Sequence, residues 1–157
     1  MTVWSAATAV SAGPMRSKKT RFAIFDTSVY VENFRTGRFT AQILGPTFIP
    51  RCSSVVLHEL RRGARTPAEL KFVGDLLRNC PVLSPTSQHW IEAAEVLASI
   101  RRREHYEANK IRELAFDILI ALSARSIGAT VVTCNQSDFE TIRRYLTFQV
   151  LYWEQRA

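Results

Sequence analysis

Residues 113–142, ELAFDILIALSARSIGATVVTCNQSDFETI, constrain the fold of this chain more than any other stretch, because three elements follow one another with no linker between them. Leu114, Ile118, Leu122 and Ile127 recur at helical spacing, and Gly128 is the residue type that closes a helix. The next six residues, Ala129 to Cys134, are short, apolar and rich in β-branched side chains, which predicts a strand buried on both faces. Ser137-Asp138-Phe139-Glu140 then reads as a capping box, with Ser137 as N-cap and Glu140 reaching back to it. Helix, buried strand and new helix are a piece of a parallel α/β domain.

Two acids in this piece need a reason. Asp117 sits inside the apolar run Ala115-Phe116-Asp117-Ile118-Leu119-Ile120-Ala121, where a carboxylate is costly unless it is paired or binds a cation. Asp138 follows the C-terminal end of the buried strand, where open parallel sheets place their ligand crevice. The plainer account of Asp138 is that an acid suits a helix N-terminus.

Taken from its beginning, the chain supplies two more acids in comparable places. Residues 1–20 are small, polar and finally basic, with neither a charged start nor a long apolar core, so a loose tail is expected there and not a secretory signal. Met15 is an alternative start within it. Phe22-Ala23-Ile24-Phe25 is the first buried strand and Asp26 ends it; Thr27 or Ser28 is placed to cap the helix that follows. A short strand is expected at Thr47-Phe48-Ile49-Pro50, and a serine-capped helix from Ser53 or Ser54 carries Glu59 among Val55, Val56 and Leu60. A surface glutamate paired with Arg62 or Arg65 is the plainer account of Glu59. Thr66-Pro67-Ala68-Glu69 is a capping box with proline at the first helical position, opening a helix that ends near Asn79. Val82-Leu83 is a further short strand, and Trp90, Ala94, Leu97 and Ile100 mark the inner face of a helix ending in Arg101, Arg102 and Arg103. Residues 147–152 alternate enough to form a last strand. No repeat or low-complexity block interrupts residues 21–157, so one domain of 137 residues at most follows the tail.

Asp-x-Leu-Ile-Ala at residues 117–121 (here Asp117-Ile118-Leu119-Ile120-Ala121), a buried strand, and then Thr133-x-Asn135-x-x-Asp138-Phe139 resemble the C-terminal half of PIN-domain ribonucleases, above all the VapC-like toxins of toxin–antitoxin pairs. The likeness extends from Phe22 onward, with Asp26 and Glu59 as the two earlier acids that such a pattern requires. It implies a three-layer α/β/α fold with a central, mostly parallel sheet flanked by helices. It also implies a divalent-metal-dependent endoribonuclease, with Asp26, Glu59, Asp117 and Asp138 as catalytic metal ligands. Glu113, one helical turn before Asp117, is a candidate outer ligand. Thr133 and Asn135 are expected, on the resemblance alone, to orient the acids. A cognate antitoxin, a homodimer and a cytoplasmic location belong to the same expectation.

The residues themselves agree with that chemistry. The four motifs contain no matching lysine or arginine, so the carboxylates should repel one another, and Mg²⁺ or Mn²⁺ prefers such all-oxygen sites. A charge of +7, from 21 Lys and Arg against 14 Asp and Glu, favours a polyanionic partner such as RNA. Arg61, Arg62 and Arg65, beside Glu59, are the expected RNA contacts, with Arg101, Arg102 and Arg103 as a second group; a solvated helix face is the plainer reading of both. Cys52, Cys80 and Cys134 are odd in number and widely spaced, which suits unpaired thiols in a reducing compartment. No apolar run approaches a membrane span, and no Gly-rich nucleotide loop is present. A haloacid-dehalogenase-like site would need a second Asp where Ser28 stands. The rival of another class is a PIN-like module that binds RNA or protein without catalysis.

Overall fold

The computed structural model describes residues 21–155; the expected tail, with Met15, lies outside the described residues. The order of elements is β1 (Arg21–Phe25), α1 (Thr27–Thr36), α2 (Thr40–Leu44), β2 (Phe48–Ser53), α3 (Ser54–Gly63), α4 (Pro67–Asn79), β3 (Val82–Leu83), α5 (Ser87–Glu104), α6 (Ala108–Ser126), β4 (Thr130–Thr133), α7 (Gln136–Arg143) and β5 (Gln149–Tyr152). The strands form one sheet in the order β3-β2-β1-β4-β5. Every neighbouring pair is parallel.

The hydrophobic pattern explains which strands lie in the middle. Consecutive residues Ala23, Ile24 and Phe25 are buried, as are all four residues of β4, so both faces of these strands are covered. The edge strands β3 and β5 alternate or lie half-open instead. Helices cover both faces of the sheet, the three-layer arrangement expected of this pattern. Helix α6 is the main support: residues 118–124 are buried without a break. It packs against α5, α7, β1 and β4.

Strand order decides where a site can form. Going along the sheet, β2 and β3 lie to one side of β1, while β4 and β5 lie to the other. The order reverses between β1 and β4, and parallel sheets leave a crevice outside the carboxyl ends of their strands at such a point. Register fixes who faces it. Ala23 pairs with Thr130 and Phe25 with Val132, so the next residues along, Asp26 and Thr133, meet at the rim.

Several local expectations need correction. Helix α1 is capped by neither Thr27 nor Ser28; Asp26 occupies the N-cap position and makes no side-chain cap bond. Helix α7 starts earlier than the Ser137 box predicts, at Gln136, with Asn135 as N-cap accepting from the Asp138 N–H. Glu140 instead accepts from Arg143 and the Tyr152 hydroxyl. The inner face of α5 is Ala93, Val96 and Ile100, leaving Trp90 and Ala94 exposed. Leu97 is half-buried against the core, as expected, while the small buried Ala93 is a position that a pattern of large side chains does not reveal. The five-residue helix α2 lies between Gly37 and Gly45, two residues whose type marks breaks in a chain. Gly37 does close α1, with φ of 70°. The Thr66–Glu69 capping box and the Ser53 cap are both present.

Candidate active site

Each of the four acids reaches the crevice from a different element. Asp26 ends β1, Glu59 lies in the second turn of α3, Asp117 lies midway along α6, and Asp138 lies in the first turn of α7. Asp26 and Asp138 are buried, at 4% and 8% exposure, while Glu59 and Asp117 are partly covered.

Asp26 is held most tightly. Its carboxylate does not cap α1, so Oδ2 is available to two hydroxyls, Ser28 Oγ at 2.7 Å and Thr133 Oγ1 at 2.8 Å. Those hydroxyls are themselves anchored from β4's far end. Ser28 Oγ accepts from the Cys134 N–H at 3.0 Å, and Thr133 Oγ1 accepts from the Asn135 N–H at 2.9 Å. With its one proton spent on Asp26, each hydroxyl has only acceptor capacity left for these N–H groups. Burial pushes the Asp26 carboxyl above its ordinary pKa, and the Ser28 and Thr133 hydroxyls partly offset this by bonding the charged form.

The other acids have their own holders. Thr27 Oγ1 donates to Glu59 Oε1 at 3.0 Å. Burial raises the Glu59 pKa, the Thr27 hydroxyl lowers it, the Asp26 charge raises it again, and nearby Arg62 and His58 pull it down. Asp138 accepts from Asn135 Nδ2 at 2.9 Å on Oδ2, and Lys110 Nζ lies 2.6 Å from its Oδ1. Asp117 has no hydrogen-bond partner among the side chains of the described residues. Its carboxyl is held well above the usual range, first by burial and then by the charges of Asp26, Asp138 and Glu59, with Lys110 opposing. The charges of the other three acids thus act on Asp117, which places all four within electrostatic reach of that carboxyl.

Lys110 corrects the expectation of an unmatched acid set. It stands two helical turns before Asp117 on α6, and its own pKa is raised, chiefly by the bond to Asp138. Glu113 faces it at 3.9 Å but is largely exposed, placing it at the outer margin. Ser28, Thr27 and Lys110 are the residues that reasoning from sequence missed. The first two look like caps, and Lys110 lies in a stretch with no motif of its own.

The donor set consists of carboxylates and hydroxyls, which fits a hard divalent cation. The set is not drawn tight: among the described residues, no three Asp, Glu, His or Cys side chains lie close enough to hold an ion together.

Around this centre lie two surfaces. Arg61, Arg62 and Arg65 are exposed at and just beyond the end of α3, beside Glu59; the exposed Arg101, Arg102 and Arg103 end α5, where Arg103 sits over the Tyr145 ring. A groove of about 460 Å³ runs between α1, α3 and α4, with Thr27 and Glu59 at one end and Val31, Phe34, Phe72 and Val73 along it. Among the described residues, no helix is long and apolar enough to cross a membrane.

A family model described as PIN domain matches residues 23–145. No curated protein matches the chain in sequence. The fold is similar to that of DNA-bound VapBC from Salmonella typhimurium, with a TM-score of 0.62 at 23% identity over 85% of this chain and 99% of that one. VapBC-1 from nontypeable Haemophilus influenzae gives a TM-score of 0.64 at 18% identity, over 84% and 98% of the two chains. FitAcB from Neisseria gonorrhoeae gives 0.58 at 19% identity, over 83% and 96%. At these identities the likeness is one of fold.

Proposed function

This chain belongs to the PIN-domain family, and from that premise we propose that it is a divalent-metal-dependent endoribonuclease, the toxin of a toxin–antitoxin pair. The observation that carries this reading is the gathering of Asp26, Glu59, Asp117 and Asp138 from four elements into one crevice at the switch point of the sheet. A fold gains nothing from placing mutually repelling carboxylates there unless a cation relieves them.

In this reading the four acids hold Mg²⁺ or Mn²⁺, with Glu113 as an outer contact. Such an ion, when bound, supplies a Lewis acid for the phosphoryl oxygens and an acidified water for attack on a phosphodiester. The protein's own part is preorganisation. Ser28 and Thr133 aim the Asp26 carboxylate, Thr27 aims Glu59, and Asn135 with Lys110 aims Asp138. Arg61, Arg62 and Arg65 draw in the RNA backbone, and their exposure beside Glu59 supports that role. The partner is a cognate antitoxin, and the toxin itself a homodimer. The groove beside Glu59, with Val31 and Phe34 about half exposed along it, supports docking of an amphipathic antitoxin segment.

One observation favours a second reading. The Lys110–Asp138 pair neutralises one acid without any metal, as a non-catalytic RNA- or protein-binding module would require. RNA cleavage decides between them. Wild-type protein should cut RNA in Mg²⁺ or Mn²⁺ and stop in excess EDTA, and Asp26→Asn should lose roughly a hundredfold or more. Cleavage undiminished by EDTA and by Asp26→Asn, or absent from the wild type on every RNA offered, sinks the nuclease.

A further inference from the structure

We propose that Lys110 is the resident counter-cation of the acid cluster, and that a divalent ion displaces its ammonium from Asp138 instead of entering beside it. This rests on the metal-centre reading above and adds what the lysine does within it.

Both oxygens of Asp138 are already engaged. Lys110 Nζ lies 2.6 Å from Oδ1 and Asn135 Nδ2 lies 2.9 Å from Oδ2. Each oxygen keeps a second lone pair, but an ion that takes Asp138 as a ligand comes within a few ångströms of the ammonium, and two cations so close repel. Asn135 is fixed by backbone geometry, because its side-chain oxygen caps α7 while its amide bonds Asp138. Lys110 is not fixed. It reaches across from α6 on a flexible stem, and 36% of its side chain is exposed against 11% for Asp138. The ammonium is thus the partner that can leave, and water is beside it to receive it.

The pair also differs from an ordinary surface tie. Among the described residues, Lys110 makes the only salt bridge to any of the four acids. Its reach extends past Asp138: Asp117, on the same helix, feels its charge as well as those of Asp26, Asp138 and Glu59. Removing it should therefore leave the acids with more unrelieved repulsion and with a freer ligand. Those two effects have opposite signs in two measurements, which makes the idea testable.

The experiment compares wild type, Lys110→Met and Lys110→Arg as full chains, with Mn²⁺ as the probe in calorimetric titration and melting curves in EDTA as the second readout. Lys110→Met should bind Mn²⁺ roughly two- to fivefold more tightly, the scale expected when a competing ion pair of ordinary strength is removed. Its metal-free melting temperature at neutral pH should fall below wild type, and saturating Mn²⁺ should close or reverse that gap. Lys110→Arg should keep wild-type behaviour in both. Equal Mn²⁺ affinity for wild type and Lys110→Met, or weaker binding by Lys110→Met, overturns the displacement while leaving the metal centre standing. A failure of all three proteins to bind Mn²⁺ overturns both.

Discussion

Replacing Asp117 by Asn separates the cost of the acid cluster from its use. The amide keeps the shape of the carboxyl, removes its charge, and turns two donors toward a neighbourhood made of acceptors. In the metal-free protein the Asp117 carboxyl is raised well above its ordinary pKa, first by burial and then by Asp26, Asp138 and Glu59. The sign of the linkage follows. Between the unfolded value of about 3.9 and the raised folded value, the native state holds a proton that the unfolded chain has lost. Stability therefore falls as pH rises through that window, and the loss is complete above the folded pKa. Asp26 and Glu59, both raised, add losses of the same sign. Each pH unit of that window costs about 1.4 kcal/mol per group, and 1 kcal/mol moves the melting temperature of a chain this size by roughly 2–4 °C. Lys110 loses one of its neighbours in the variant, which trims the gain. Melting in EDTA at pH 4 and pH 7.5 is the assay: Asp117→Asn should nearly match wild type at pH 4 and melt at least about 2 °C higher at pH 7.5. Added Mn²⁺ should then stabilise wild type more than the variant, by RT ln(1 + [L]/Kd) of the tighter site. A variant that melts below wild type at pH 7.5, or a gap that does not widen with pH, refutes the reasoning and makes Asp117 a structural residue.

Two further outcomes test the supports around the acids. Thr133→Val, at a fully buried position, removes the hydroxyl that donates to Asp26 and accepts from the Asn135 N–H, so it should cost about 1–3 kcal/mol in urea unfolding; an unchanged midpoint would show that water replaces it. In an Asp26→Asn background, log–log plots of RNA affinity against salt should be steep, and each of Arg61, Arg62 and Arg65 that truly touches phosphate should flatten the slope by about 0.7 when changed to Ala. A slope that none of the three changes would move the RNA surface elsewhere.

What could be read from the sequence was local, and what escaped it was long-range. The Thr66–Glu69 box spans three residues, and both halves of it can be seen in one glance at the chain. Asp26 and Asp138 were legible because a strand end can be recognised from its own apolar run, and Asp117 because its flanks are so apolar. The holders of these acids were not legible, because a hydroxyl has two lives. Thr27 and Ser28 have the composition of helix caps, yet their hydroxyls go to Glu59 and Asp26 once α3 and β4 are in place. Lys110 could be suspected only by counting seven residues back from Asp117, and its true partner is on another helix. The face of α5 was legible in its second half, at Leu97 and Ile100, and not in its first, where the buried residue is Ala93, which carries little hydrophobic signal.

The central pairing of β1 with β4 also sets a clock. Thr133 and Asp26 are 107 positions apart, so their hydrogen bond waits for almost the whole chain to be synthesised. At typical translation rates that separation is roughly 5–20 s. During that interval β1 can pair with β2 as soon as it emerges, but its other edge has no partner until β4 appears. A ribosome stalled between β3 and β4 thus holds a half-sheet with an open central edge and only one side of the crevice. Such a chain carries Asp26, Glu59 and at most Asp117, without Asp138, and its open edge invites wrong pairing. The last-made part of the chain, from β4 onward, therefore completes the crevice, and release before it leaves β1 with an open edge.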